Sequence, residues 1–323
     1  MPQNPTRRST RQISGEDIVV ETAWLYYHDG LNQSEIANKL LVSRATVVNY
    51  LQEARERGYI HTKLSPEAFN THRTALELRE RFELKAAYVL PDGTGGQDDH
   101  ASRIIRGAAD WLPSLIQPGD RLGVAWGKTI YDVAERLEQT NIPDLTVLQL
   151  VGSMATPYGF SADVCSSIVA RKFSAKCINL HVPAILSTAE NAAMLRSESL
   201  IANQLDAISD CNKTLFAVGS CNPDSHVVSS GVATRAELED YISNGAVGVM
   251  CGRFIDAKGD AISGPLDDRM MGIGLDELRH RDMGILVSVG EERVPAAVAA
   301  IRGGYATHLV TNRSCAAAMM KLA

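Results

Sequence analysis

The chain has 323 residues, 45% of them hydrophobic and 22% charged, with 25 Gly, 12 Pro and a formal net charge of −6. That length exceeds one ordinary domain and suits two, and the composition excludes a disordered, collagenous or low-complexity polypeptide. Apolar stretches such as residues 145–151 fall far short of the roughly 20 residues of a membrane span, and the N-terminus carries Arg and polar residues instead of an apolar signal core, so a cytoplasmic protein is expected. The six cysteines form no Cys-x-x-Cys pair, which points to reduced thiols rather than a zinc site or a disulfide framework. The charge is uneven: residues 1–63 hold eight Lys/Arg against seven Asp/Glu, and the remainder 24 against 31, giving a mildly cationic head and an anionic body.

Ser14-Gly15-Glu16-Asp17 opens a first helix well, because Ser accepts from an orphan backbone N–H and the acids face the positive end of the dipole. Val20, Ala23, Trp24 and Tyr27 then recur at three- and four-residue spacing as one apolar stripe, and Gly30 stops the helix. A second, two-turn helix starts at Asn32, with Glu35 as a capping-box partner and Ile36, Ala37 and Leu40 on its buried face. Leu41-Val42 makes a tight connection, Ser43 caps a third helix lined inside by Val47, Leu51 and Ala54, and Gly58 ends it.

A short helix, a tight turn and a longer helix is what a helix-turn-helix requires: the first braces the second, whose N-terminal side chains reach base edges. Arg44, Thr46, Asn49 and Tyr50 project from the first turns of the third helix; Arg and Asn can bond G and A bidentately, while Thr and Tyr suit phosphates or a thymine methyl. The rival reading is a plain three-helix packing module with Arg44 and Asn49 merely solvated. Residues 23–27, 31–37, 41–47 and 54–60, in that order and spacing, resemble the head of the SorC family of sugar-binding bacterial transcriptional regulators. The resemblance implies a DNA-binding head with Gln33, Ser43, Arg44, Thr46 and Asn49 at the operator; Gln33 opens the bracing helix, where its amide suits a phosphate.

Residues 59–64 alternate weakly, as a short strand or wing. Residues 67–83 carry Ala75, Leu78 and Phe82 on one side, an amphipathic linker helix that either pairs with its twin in a dimer or packs on the body. From Lys85 onward β-rich runs alternate with helical segments, the pattern of a parallel sheet covered by helices; the runs are 86–90, 121–126, 145–151, 176–180, 214–218, 247–250, 284–289 and 308–310. The expected organisation is a helix-turn-helix domain over 1–64, a linker helix over 65–84 and a Rossmann-like α/β effector domain over 85–323.

Most runs end in a small residue: Gly127, Gly152, Gly219, Gly290 or Thr311. In open parallel sheets ligands bind beyond the carboxyl ends of the strands, so these residues mark the expected rim. Residues 118–129, 149–153, 245–248, 253–259, 302–304 and 309–311 are similar to later landmarks of the same family, which implies a domain related to sugar-phosphate isomerases that binds a sugar, polyol or sugar phosphate without turning it over. Residues 123–129 resemble a P-loop but place three residues, not four, between the glycines, so an NTPase is excluded. Gly127, Lys128 and Thr129 instead open a helix whose free N–H groups suit a phosphate or hydroxyl oxygen, although Lys128 reads equally as a solvated lysine.

Further effector candidates are Ser153 beside Gly152, Gly219, and Asp256, which is either a hydroxyl acceptor or a turn-former; the resemblance favours the ligand. At Gly290-Glu291-Glu292-Arg293 the family usually has Lys where Arg293 stands, and the flanking carboxylates favour a polyol, sugar or monophosphate over a bisphosphate. The histidines give no catalytic constellation: His181 lies at a strand end, and the others, including His226 and His308, read as surface or structural. No metal spacing appears, and no cofactor is implied. The function expected is an effector-controlled transcription regulator of carbohydrate or polyol metabolism, a homodimer or homotetramer on double-stranded operator DNA, with no catalysis. The alternative is an isomerase-like enzyme with an appended helical module.

Overall fold

The computed structural model describes residues 15–60, 72–93, 95–154, 160–222 and 225–323. The chain divides into two compact units, Met1–Leu64 and Ser65–Ala323.

The head unit holds α1 (Gly15–Tyr27), α2 (Gln33–Leu40) and α3 (Arg44–Glu56). Local chemistry sets its ends. Asn32 Oδ1 accepts from the Ser34 and Glu35 N–H groups while the Glu35 carboxylate accepts from Asn32 N–H, a full capping box. Leu41 closes α2 in the left-handed region (φ 55°), and Ser43 Oγ accepts from Thr46 N–H at 3.0 Å to start α3. Leu25, Ile36, Ala37, Val47 and Leu51 form one cluster, and Val19, Ala23 and Ala54 a second.

The apolar stripe expected on α1 is only partly inward. Val20, Trp24 and Tyr27 are exposed, and the buried side is Val19, Thr22, Ala23 and Leu25. Both faces of α1 carry apolar residues, so periodicity alone does not choose between them; the small Val19 and Ala23 fit against Ala54 where an indole would not. Trp24 instead stacks on His28, ring centroids 4.2 Å apart.

The second unit opens with α4 (Arg73–Phe82), whose Ala75 and Leu78 are fully buried against β1 (Ala86–Leu90) and the C-terminal helix. Of the two readings of the linker helix, its described part packs on the body; residues 61–71, with most of the expected wing, lie outside the described residues. β1, β2 (Arg121–Val124), β3 (Thr146–Gln149), β4 (Lys176–Ile178), β5 (Lys213–Phe216), β10 (Met283–Val287) and β11 (His308–Asn312) form a parallel sheet in the order β1-β11-β10-β5-β2-β3-β4. Both faces are covered, as parallel strands require: Leu215, Ile285, Val287 and Val310 face one core and Phe216, Leu286 and Leu309 the other.

The run 247–250 does not join this sheet, contrary to expectation. As β7 (Gly248–Met250) it belongs to a separate antiparallel sheet with β6 (Gly219–Ser220), β8 (Arg253–Ile255) and β9 (Ala261–Ile262), because so short an apolar run says nothing of its pairing partner. From β2 the chain winds to β3 and β4 on one side; from β5 it winds to β10 and β11 on the other. The reversal opens a crevice between β2 and β5 at their carboxyl ends. At the opposite end Lys213 Nζ and Asp120 Oδ2, both buried, meet at 2.6 Å and tie the two strands together.

Candidate functional sites

In the head, α3 presents Arg44, Ala45, Val48, Asn49 and Gln52 outward, opposite the buried Val47, Leu51 and Ala54. Arg44 Nε donates to Gln33 Oε1 at 3.2 Å, joining the first residues of α2 and α3. Ser43 is committed to the cap, its Oγ also 2.8 Å from Thr46 Oγ1. Asn49 is exposed. Tyr50, expected among the projecting residues, packs half-buried on the Val19, Ala23 and Ala54 cluster, because it follows α3 round toward α1. Ala45 and Val48 went unnoticed in the sequence; they share the outward face set by the 47, 51, 54 inner spacing, and Val48 offers an apolar surface suited to a thymine methyl.

In the body, a cavity of about 510 Å³ lies beyond the carboxyl ends of β2, β5 and β10, within the range of small-molecule sites, roughly 300–1,000 Å³. It brings together Gly127, Lys128, Thr129, Gly219 and Arg293 of the expected residues. Gly127 has φ 120°, a conformation that favours glycine, and turns β2 into α6 (Lys128–Arg136), whose first N–H groups have no partner within the helix. Apolar walls come from Trp126, Ile105, Val218 and Met250.

The charges in this lining are internally balanced. Lys128, Arg136 and Arg293 face Asp98, Asp132 and Glu292. Lys128 Nζ meets Asp132 Oδ2 at 2.7 Å, Arg136 Nη1 donates to Asp132 O at 3.3 Å, and Arg293 donates to Val289 O at 3.0 Å with Glu292 3.7 Å away. His226, expected at the surface or in a structural role, also lines the cavity. Its burial lowers its pKa, and the neighbouring Arg293 and Lys128 lower it further, so the ring favours its neutral form. Asp132 was findable as an i,i+4 partner of Lys128; His226 was findable only from its nearness in sequence to Gly219.

The remaining candidates lie elsewhere. Gly152 is pressed against the Pro183 and Val182 carbonyls, where a Cβ would approach to 2.6 and 2.7 Å, and Ser153 Oγ donates to Asp163 Oδ1 at 3.0 Å beside a second, open cavity that also holds His181. Burial there pushes the Asp163 carboxyl up, but hydroxyls of Ser161 and Ser153 and backbone N–H groups outweigh it and hold the pKa low. Gly290 turns at φ 90° into the helical turn that carries Arg293. Asp256 Oδ1 accepts from the Lys258 and Asp260 N–H groups, at 2.8 and 2.9 Å, in the turn between β8 and β9, outside the cavity lining. Its geometry is that of the turn-former, because a carboxylate two residues before a Lys-Gly step is already in reach of those donors. Among the described residues no group of three metal-ligating side chains gathers, and no helix is long and apolar enough to cross a membrane.

A family model described as "Putative sugar-binding domain" matches residues 67–321. The chain is 36% identical over 314 residues to the uncharacterized transcriptional regulator YjhU of Escherichia coli (strain K12), covering 96% of each chain, and 29% identical over 311 residues to the deoxyribonucleoside regulator of Bacillus subtilis (strain 168), covering 94% of this chain and 97% of that one. The crystal structure of the full-length sorbitol operon regulator SorC from Klebsiella pneumoniae shares the fold with a TM-score of 0.80 at 22% identity, covering 95% of this chain and 99% of that one. A match to the sugar-binding domain over most of the chain, together with transcriptional regulators that match it nearly end to end, places the chain in the SorC family of sugar-binding bacterial transcriptional regulators.

Proposed function

We propose that the protein is a cytoplasmic regulator of carbohydrate or polyol metabolism that binds operator DNA through the outward face of α3 and is controlled by a sugar, polyol or sugar phosphate in the cavity between β2 and β5. The observation that carries this reading is the cavity itself: at the topological reversal of the sheet, the N-terminus of α6 and Arg293 supply donors beside apolar walls. Gln33, Arg44 and Asn49 contact DNA, with Ser43 and Thr46 ordering the start of α3. The chain acts without catalysis, as a homodimer or homotetramer whose paired heads read an inverted repeat. Ligand changes operator affinity only as far as it binds the two conformations unequally; a tenfold change needs about 1.4 kcal/mol of that difference.

The test is selection of the full-length protein on random duplex DNA, followed by titration of the enriched sequence with and without a panel of sugars, polyols and their monophosphates. An inverted repeat whose affinity shifts with one panel member is expected. Failure to enrich any sequence, or turnover of a panel sugar phosphate by the purified protein, overturns the reading.

A further inference from the structure

Ser225 stands at the start of a four-residue helix, α10 (His226–Ser229), where a serine hydroxyl ordinarily accepts from a backbone N–H of the first turn. Here it makes no such bond. The Ser225 carbonyl accepts from Val228 and Ser229 N–H, and the Ser225 N–H donates to Asn222 O at 3.0 Å, but Oγ has no hydrogen-bond partner among the described residues. The residue is only 7% exposed and lines the same cavity as Gly127, Lys128, Thr129 and Arg293. A buried hydroxyl left without a partner is unfavourable, and native structures hold few of them without a reason.

We infer that Ser225 is a specificity-determining ligand contact whose hydroxyl is completed by a hydroxyl of a polyhydroxylated effector. The inference rests on the effector reading above and adds to it the residue that reads a particular hydroxyl. The N-terminus of α6 and Arg293 hold the oxygen-rich or singly anionic end of the molecule, which a lining of three cations and three carboxylates tolerates, while Ser225 tests the carbon chain. A hydroxyl can both donate and accept, so the contact suits an alcohol, which does the same. A ligand lacking that alcohol leaves Ser225 as it is in the free protein and gains nothing from it, which is how a polar group discriminates between otherwise similar molecules.

The experiment compares full-length wild type with Ser225→Ala. Two readouts are taken: the Tm of the ligand-free protein, and the Kd of each aldose, ketose or alditol of four to six carbons, or its monophosphate, that raises the wild-type Tm. For each binder the deoxy analogues are measured as well. The expected result is a ligand-free Tm that is unchanged or raised by about 2 °C, binding weakened about tenfold in Ser225→Ala, and one deoxy analogue that binds both proteins alike. A ligand-free Tm lowered by more than about 2 °C marks a structural cap and overturns the inference. Equal affinity of both proteins for every binder also overturns it while leaving the effector reading standing. A wild type that responds to no panel member overturns the effector reading and this inference together.

Discussion

Arg44 Nε is held 3.2 Å from Gln33 Oε1, so the side chain that opens α2 orients the side chain that opens α3. The bond uses only the Nε edge of the guanidinium, and Nη1 and Nη2 have no partner among the described residues. Those two nitrogens are a ready fork for a guanine edge. Arg44→Ala is expected to relax preference at one base pair, costing about 1–3 kcal/mol on the selected operator. Gln33→Ala is expected to cost less and to blur the same position. Equal weakening on all duplexes in a competition assay would make Arg44 a phosphate clamp instead.

Lys128 and Asp132 neutralise one another at 2.7 Å at the cavity mouth. Asp132→Asn leaves the lining with one excess positive charge. The variant is expected to bind monophosphates several-fold more tightly relative to their dephosphorylated counterparts, an advantage that shrinks with added salt because Lys128 is solvent-exposed. Calorimetric titration of paired phosphorylated and free sugars measures it, and an unchanged ratio would remove Lys128 from the ligand.

Leu41 adopts φ 55° with 92% of its surface exposed. A β-carbon in that conformation is strained, and glycine relieves the strain at the expense of a more flexible unfolded chain. Leu41→Gly is therefore expected to stabilise the head by up to about 1 kcal/mol. Denaturant unfolding followed by Trp24 fluorescence reads the change.

His308 is buried at the start of β11, and burial, aided by Lys85, Lys213 and Arg79, pushes its pKa down to about 4. The unfolded chain binds this proton more readily than the folded one, so the stability His308 lends at neutral pH is lost as pH falls from about 6.5 toward 4. Between pH 7.5 and 5 the contribution is about 2 kcal/mol. His308→Gln should flatten the denaturation profile over that interval by a comparable amount, and a variant as acid-sensitive as wild type would place the effect on other groups.

Asp256→Ala removes the acceptor for two backbone N–H groups in the β8–β9 turn. A stability loss of about 1–2 kcal/mol is expected, with panel binding unaltered. Lost effector response in a fully folded variant would return Asp256 to the ligand.

What was legible in the chain is what short-range chemistry decides. Asn32, Glu35 and Ser43 announce the helix starts, and the eight β-rich runs fall where strands form because most are compact apolar segments closed by a small or turn-forming residue. What was not legible depends on contacts between distant segments. The inward face of α1, the packing of Tyr50 and the pairing of β7 are each settled by a neighbour remote in sequence. Among the site residues, Gly127 to Thr129 and Arg293 follow from their places at strand ends. His226 and Ser225 enter the cavity through the fold alone, and Asp256 is kept out of it by a turn whose Asp-x-x-Gly signature was visible but outweighed.

The roof that α4 forms over β1, through Ala75 and Leu78, bears on how the body is best cut for study. A fragment begun at Lys85 would lose that roof and open a greasy window onto Ala87 and Val89, inviting aggregation that masks any sugar response. A cut placed ahead of His72 keeps the window shut.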